Sequence, residues 1–472
     1  MFAIIPTYIV FALAAGVLHR LAPARWAIVA TFLGGWMILP VGIFPESPFQ
    51  TVFPYWLVGI ALPSDMLINK AWVTAVTALF WALAFDWKTA TRFRPHWIDL
   101  PMLLWCAWPL LAASAWTNPD PHPLVSSAYL LGSWGALWLL GRIWFADWEG
   151  QVVLLKGLAL VACAAVPVAW FEAQSLMAFH AILYGEHPNR LDGVVRPVGY
   201  RAVGFFEHGN QYSLWVSLAA VAAVWLAVSR PAAGTRWIWV PVALLALVLG
   251  VVHQSRGAIL LLLVGIALLT LWRFRLGYLL VSALALGSAA FFALHYSGAL
   301  WGWLMAEGLI PRDALERGSA GAREMRRMLG EFGLGTFGWR IWQDMETRNI
   351  VLISPLFGQG QWDWWREAGT RPWGFWVLTA GQFGAIGSGL ALVALAVPTL
   401  GCLLRMGRVS PWSPTNAAIP LGIVVLLGLI DATQNSFLFF PALLGAGALA
   451  SHSIARPQGL SSESSNQQRV ET

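Results

Sequence analysis

The chain has 472 residues, of which 58% are hydrophobic and only 11% are charged, and its mean hydropathy is +0.64. Soluble domains carry about 25% charged residues, so this composition excludes an ordinary soluble domain and indicates a polytopic membrane protein. The net charge of +6 does not indicate nucleic-acid binding, because the basic residues lie in short connections between apolar segments. The cysteines lie inside apolar segments without CxxC spacing and predict neither a disulfide framework nor a zinc site: Cys106, Cys163 and Cys402.

Apolar segments long enough to cross a bilayer, about 20 residues each, recur along the chain. We predict thirteen spans, at residues 2–19, 26–44, 68–85, 98–116, 125–141, 151–170, 209–228, 236–252, 257–272, 277–296, 373–399, 415–432 and 436–453. The first has no basic region ahead of it and no A-x-A-like cleavage site, so we interpret it as a retained span rather than a signal peptide. The expected fold class is an all-α polytopic membrane protein, a bundle of about 12–13 transmembrane helices forming one domain over residues 1–453.

The connections alternate in charge, and the basic ones predict the cytoplasmic side. They carry Arg20 and Arg25; Lys88, Arg92 and Arg94; Arg142; Arg230 and Arg236; Arg273 and Arg275; and Arg405 and Arg408. This assignment places the N-terminus outside and the Ser-rich tail at 456–472 in the cytoplasm, where we expect it to be disordered. Residues 48–64 contain three prolines. If they span the bilayer, the N-terminus is cytoplasmic instead.

Two long connections fall on the outer side, at residues 171–208 and 298–372. The second is predicted to be one large periplasmic loop with short amphipathic helices near 322–330 and 339–348. Loops of this length are uncommon without a function. Its arginines and tryptophans favour an anionic ligand that also has apolar faces, such as a phosphorylated lipid-linked sugar.

The first candidate cluster lies where residues 171–208 lead into a span. It contains Arg201, Glu207, His208 and Asn210. One interpretation is helix capping, since Asn210 is a good N-cap and Glu207 suits a helix start. Capping does not require Arg201, however, which favours a functional site as well.

The second candidate cluster is the tight turn that carries His253, Ser255 and Arg256 between two apolar spans. An ionisable group at the outer bilayer boundary is costly and suggests function, and a guanidinium offers a forked donor set suited to phosphate. The alternative is that Arg256 extends its side chain to the lipid headgroups.

The third candidate cluster lies within residues 298–372 and combines arginine, tryptophan and glycine. Arg340 lies in a Trp-Arg-x-Trp stretch, residues 355–360 read Pro-Leu-Phe-Gly-Gln-Gly, and Trp362 begins a further aromatic run. The tryptophans could stack on sugar rings or anchor the loop to lipid. The acidic residues of this loop, such as Asp344 and Asp363, are expected to be mostly solvated partners of its arginines.

In order along the chain, these clusters read Arg-x-x-Gly-x-Phe, His-x-Asn, Ser-Arg-Gly-Ala, Trp-Arg-x-Trp and Pro-Leu-Phe-Gly-x-Gly. Across residues 196–387 the pattern resembles the O-antigen ligase and O-antigen polymerase superfamily. The resemblance implies about a dozen transmembrane helices with a large periplasmic loop over a cavity. It also implies a metal-independent glycosyltransferase of the bacterial inner membrane, without a cofactor, whose active site faces the periplasm.

The resemblance implies that Arg201 and Arg256 hold the diphosphate of an undecaprenyl diphosphate donor and that Arg340 is the loop arginine. Further site residues would be Asn210, Ser255, His253 and Trp362. Ligases carry a loop histidine that activates the acceptor hydroxyl, but residues 298–372 contain no histidine. A base must reach that hydroxyl, and the candidates are Asp363, Glu367 and His208, with His253 as a further substitute.

The expected function is therefore transfer of a glycan from a polyprenyl-diphosphate donor to a lipid or glycan acceptor at the periplasmic face. A polymerase of the same superfamily is the alternative within this class. A transporter of lipid-linked saccharides would use the same arginines without changing a bond, and a scaffold would catalyse nothing. The expected partners are donor, acceptor and membrane lipids, not nucleic acid. The sequence shows no internal repeat of the kind that transporters carry.

Overall fold

A computed structural model describes residues 3–42, 60, 66–185, 195–196, 199–229, 236–316, 318–331, 335–366, 369–370 and 372–454. Segment 48–64, apart from residue 60, and the tail at 456–472 lie outside the described residues, so their predictions stay predictions. The described chain is almost entirely helical, and its one sheet is a small antiparallel hairpin, β1 (Val195–Arg196) and β2 (Gly199–Tyr200).

The helices follow the apolar pattern of the sequence. In chain order they are α1 (Ile4–Leu21), α2 (Ala24–Ile38), α3 (Lys70–Ala90), α4 (Trp97–Ala115), α5 (Pro123–Trp144), α6 (Trp148–Ser175), α7 (Phe179–Leu183), α8 (Gly209–Ser229), α9 (Arg236–Val252), α10 (Arg256–Phe274), α11 (Gly277–Ser297), α12 (Ala299–Ala306), α13 (Ala320–Glu331), α14 (Gly335–Val351), α15 (Phe375–Arg405), α16 (Pro414–Asp431) and α17 (Pro441–Ile454).

Within the described residues, nine helices are long and apolar enough to cross a membrane: α1, α4, α5, α6, α8, α10, α11, α15 and α16. An all-helical, multi-pass membrane protein is therefore confirmed at this level. The four other predicted spans are also helices, but α2, α9 and α17 are shorter, and α3 is long but less apolar. The structure thus supports nine spans by length and composition, fewer than the thirteen predicted.

Helix α8 lies at the centre of the bundle. It packs against α6, α9, α10 and α16, and nearly all of its residues are buried. A helix that is apolar on every face needs neighbours on every face, which explains why α8 is interior. Helix α6 continues to Ser175, so the connection predicted at 171–208 begins about one turn later than expected.

The bundle has two chemically different ends. At the end we call the loop end, which carries residues 298–372, the start of α15 meets the turn after α16: the Phe375 N–H donates to the Ala432 carbonyl at 2.8 Å. The opposite end holds basic connections, where Arg142 pairs with Asp99 at 2.7 Å and Arg25 pairs with Asp147. The two arginine-bearing turns described below both lie at the loop end.

The segment 298–372 is tied into the bundle rather than resting on it. Helices near both predicted positions are present, as α13 and α14. Helix α15 is broken at Gly384, which has a φ of 74°, and residues 355–360 insert at the break. The backbone bonds that join them are Gln359 N to Gly381 O (2.9 Å), Gly360 N to Gln382 O (2.9 Å) and Ala385 N to Pro355 O (2.8 Å).

Only glycine fits at this crossing. A Cβ on Gly384 would lie 2.1 Å from the Leu356 carbonyl oxygen, and one on Gly358 would lie 2.4 Å from the Gly384 nitrogen. Both residues also have positive φ, which L-residues with side chains rarely adopt. The Pro-Leu-Phe-Gly-Gln-Gly motif therefore stabilises the break in α15. Its backbone forms hydrogen bonds with the N–H and carbonyl groups that the break leaves without helical partners.

Candidate functional site

Arg201 lies at the loop end in a rigidly held segment. Its side chain is only 3% exposed, and Nη1 donates to the Asn210 side-chain oxygen at 2.7 Å. The segment is fixed by Glu172, near the end of α6, whose carboxylate accepts backbone N–H groups of Val203 and Gly204 at 2.7 to 3.2 Å. Asn210 is neutral, so this hydrogen bond orients the guanidinium without cancelling its charge.

His208, rather than Asn210, caps helix α8. The Asn210 backbone N–H donates to His208 Nδ1 at 3.0 Å, and the Asn210 side chain is turned to Arg201. The capping interpretation was therefore right about the cluster but wrong about the residue. A ring nitrogen that accepts a capping hydrogen bond cannot at the same time take a proton from a substrate, which weakens His208 as a base.

Glu207 forms a buried ion pair that the sequence did not predict. Its Oε1 lies 3.5 Å from Lys70 Nζ, and both side chains are 0% exposed. The ammonium group also lies over the rings of Trp36 and Phe206, at 4.6 and 4.8 Å. Burial raises the pKa of Glu207, and Lys70 opposes that shift. The only sequence signal was a lysine at the start of a predicted span.

His253 lies in the turn between α9 and α10 and packs edge-on against Tyr212 of α8, with 4.7 Å between ring centroids. Its Nδ1 lies 2.6 Å from the Leu249 carbonyl oxygen, which can only accept, so Nδ1 carries the proton. Among the described residues the buried Nε2 has no hydrogen-bond partner. Burial lowers the pKa of His253 to about 4, and the charge of Arg201 adds to this shift, so the ring is neutral near pH 7.

Arg256 is the first residue of α10, and it is exposed. In the part of the chain that the structure describes, its side chain makes no hydrogen bond or ion pair. Ser255 occupies the N-cap position but its hydroxyl makes no capping bond. Exposure at a helix N-terminus fits both interpretations of Arg256, contact with an anionic ligand and contact with lipid headgroups.

Arg340 lies on α14 and contacts the turn that follows α16. Its Nη1 donates to the Gln434 carbonyl at 2.8 Å and to the Asn435 side-chain oxygen at 3.2 Å, and its guanidinium lies 5.1 Å from the centre of the Trp373 ring. The Asn435 amide in turn donates to Asp431 Oδ1 at 2.9 Å. The sequence did not single out Asp431, because an acid at the end of a predicted span is typical of an ordinary helix boundary.

We expect from the sequence that Asp344 is a solvated partner of an arginine. The structure shows instead that Asp344 is buried. Its oxygens accept from His295 Nε2 (3.2 Å), the Tyr296 hydroxyl (3.4 Å) and the Trp373 N–H (3.0 Å). The other nitrogen of His295 accepts from Trp301 Nε1 at 3.0 Å. Indole N–H only donates, so His295 Nδ1 is unprotonated and the ring is neutral. This network anchors α14, and with it Arg340, to the end of α11.

The aromatic run of residues 298–372 packs inside the protein. Trp362 is buried and its Nε1 donates to Asp120 Oδ2 at 3.0 Å, while the Arg366 guanidinium lies 4.7 Å from its ring centre. Trp362 therefore presents no exposed face to a sugar or to lipid. Asp363 is half-buried and lies 3.4 Å from Arg366. Glu367 lies outside the described residues.

The structure thus groups Arg201, Asn210, His208 and His253 at the starts of α8 and α10, with Arg256 one residue past Ser255 on the same turn. Arg340 belongs to a second group with Asp431. Across the described parts of the chain, no three His, Cys, Asp or Glu side chains are grouped as metal ligands would be. No family model matches the chain, and no curated protein matches it significantly. What the chain does is therefore inferred from its own residues.

Proposed function

We propose that the protein is an O-antigen ligase-like glycosyltransferase that moves a glycan from a polyprenyl diphosphate to a lipid or glycan acceptor. The observation that carries the proposal is that two arginines lie at the same end of the bundle. Arg201 is buried there, and Arg256 is exposed. Arg201 is oriented by the neutral side chain of Asn210, and Arg256 is exposed at the start of α10. Their charge suits an anionic ligand at the membrane surface.

The chemistry follows from this charge. As the bond between the sugar anomeric carbon and the diphosphate oxygen breaks, negative charge develops on the leaving diphosphate. Preorganised cations stabilise that charge most in sites from which water is excluded, and Arg201 is both buried and oriented by Asn210. The N-terminal end of α10 adds partial positive charge beside Arg256.

A transporter of lipid-linked saccharides is the second candidate, and the break in α15 at Gly384 favours it. Transporters bind substrates at interrupted helices. Here, however, residues 355–360 occupy the break with backbone hydrogen bonds. The glycosyltransferase therefore remains the better-supported function, with a polymerase as its alternative within the class.

Reconstitution into liposomes separates the two candidates. The donor is undecaprenyl diphosphate-linked oligosaccharide with a radiolabelled glycan, and the acceptors are supplied as a lipid extract of the native membrane. A new labelled glycoside supports the transferase, whereas movement of the donor across the bilayer without any glycoside supports the transporter and overturns the transferase.

The arginines are tested in the same system. Arg201→Gln is expected to lower turnover by about 10²- to 10³-fold, the effect of losing one preorganised donor. Arg256→Gln is expected to act in the same direction. Arg94→Gln, an exposed arginine at the opposite end, is the matched control and should leave turnover unchanged. Full activity in Arg256→Gln would overturn the role of that residue.

A further inference from the structure

Asp431 ends α16 with a carboxylate oxygen that lacks a hydrogen bond. The residue is 7% exposed. Oδ1 accepts from Asn435, but within the described residues the buried Oδ2 has no hydrogen-bond partner. Buried carboxylates are costly unless they are paired and hydrogen-bonded, and a native exception calls for an explanation such as a catalytic role.

A buried donor that also lacks a partner lies three residues further on. The Gln434 side-chain Nε2 makes no hydrogen bond to a described residue, while the Gln434 carbonyl is held by Arg340. An acceptor at Asp431 and a donor at Gln434 together match a hydroxyl group, which both donates and accepts. The turn is kept in place because the Phe375 N–H donates to the Ala432 carbonyl.

The position of Asp431 relates it to the two arginines. Helix α16 packs against both α8 and α10. Gly265 of α10 lies against the Leu427 side chain, about one turn before Asp431. The end of α16 therefore shares the loop end with the starts of α8 and α10, where Asn210 holds Arg201 and where Arg256 lies.

We propose that Asp431 is the general base that activates the acceptor hydroxyl, that Gln434 orients the acceptor there, and that Arg340 holds the turn that carries Gln434. The inference rests on the proposed transferase function. In the reaction, Asp431 Oδ2 takes the hydroxyl proton as the acceptor oxygen attacks the anomeric carbon. The bond from that carbon to the diphosphate oxygen breaks, its electron pair leaves with the lipid diphosphate, and Asp431 then returns its proton to water.

The other candidates among the described residues are less suited to this step. His208 Nδ1 accepts the capping bond of α8. Both oxygens of Asp344 already accept hydrogen bonds, and Asp363 lies beside Arg366. Burial holds the pKa of His253 at about 4, which makes its ring a weak base near neutral pH.

The test uses the liposomes and donor described above, with turnover and donor affinity measured separately. Affinity is read from the quenching of tryptophan fluorescence by undecaprenyl diphosphate. Asp431→Asn keeps the shape and removes the base, so turnover should fall by about 10²- to 10⁴-fold while the affinity stays unchanged. Glu331→Gln, an exposed carboxylate of α13, is the matched control and should retain wild-type turnover.

The turnover of Asp431→Ala with and without sodium formate separates a catalytic role of Asp431 from a purely structural one. Formate can occupy the vacated space and restore a base, so it should raise the turnover of this variant by about tenfold or more, within the range that a base contributes. Formate should not affect Asp431→Asn, whose amide fills the site. This variant also keeps the test decisive if Asp431→Asn does not fold.

Turnover within tenfold of wild type in Asp431→Asn overturns the inference, and so does a folded Asp431→Ala that formate does not rescue. Equal weakening of donor affinity and turnover would assign Asp431 to donor binding and likewise overturn it. Absence of any glycoside with the wild-type protein overturns the proposed function instead, so the two failures are distinguishable.

Discussion

Replacing Lys70 with methionine is expected to destabilise the protein by about 3–5 kcal/mol, because it removes the cation that lies beside a buried carboxylate. Lys70 Nζ lies 3.5 Å from Glu207 Oε1, with both side chains 0% exposed. At that distance and an effective dielectric constant of about 20, the attraction is about 5 kcal/mol. The ammonium group also donates to the Phe205 carbonyl and lies over the rings of Trp36 and Phe206.

The partner variant is expected to cost less. In Glu207→Gln the lysine keeps the Phe205 carbonyl and both aromatic rings, whereas Lys70→Met removes the ammonium group beside a carboxylate that stays buried. The double variant removes both charges, so its cost should be smaller than the sum of the two single costs, with a coupling free energy of about 2 kcal/mol or more.

The assay is equilibrium unfolding in detergent micelles, followed by tryptophan fluorescence. The cost of Lys70→Met should also depend on pH. Burial raises the pKa of Glu207 above its unfolded value, so below the unfolded pKa both states are protonated and the cost is small. It grows as the pH rises toward the folded pKa. A cost below about 1 kcal/mol near pH 7, or strict additivity in the double variant, would refute the reasoning.

Three further predictions use the same unfolding assay. Gly384→Ala should prevent a stable fold, because the added Cβ would overlap a backbone carbonyl. Gly389→Ala in the same helix adds a Cβ in open space and should be nearly neutral. A stable Gly384→Ala protein would contradict the role of residues 355–360 at the break in α15. Trp301→Phe should lower the free energy of unfolding by about 1–3 kcal/mol, because it leaves the buried Nδ1 of His295 without its hydrogen-bond donor. The same change at the exposed Trp303 should lower it little. Equal losses would contradict a stabilising role of the hydrogen bond between Trp301 and His295. The folded pKa of His253 lies below its unfolded value, so the free energy of unfolding should fall by up to about 3 kcal/mol as the pH drops from about 6.5 to about 4. His253→Gln should remove this part of the pH dependence. A variant with the wild-type pH profile would contradict the assignment to His253.

The sequence predicted the helices well and their number of spans less well. Each of the thirteen predicted spans overlaps a helix, because long apolar runs in lipid must satisfy their backbone groups internally. Length and composition nevertheless leave only nine that are long and apolar enough in the described residues. Helices such as α17 are buried among others, and a short helix can be accommodated there without crossing the bilayer on its own.

The candidate site divides in the same way. Arg201 and Asn210 were predicted together and do meet, because nine residues in one segment bring them to the start of a single helix. The sequence could not show that His208 would take the cap, since both side chains can accept a backbone N–H and only the fold decides which one turns toward it. The predicted contact of Trp362 with sugar or lipid was wrong for a similar reason. Its burial depends on Asp120, which lies 242 residues away in the sequence.

By itself, the sequence determined the class of protein, the helices and the turns that carry Arg201 and Arg256, because hydrophobic length and local charge act along the chain. The tertiary structure alone decided which distant groups meet. Lys70 reaches Glu207, His295 reaches Asp344, and Arg340 reaches the turn after Asp431 across 94 residues. These contacts depend on how helices pack, and packing is set by side-chain shapes on facing surfaces rather than by any local pattern.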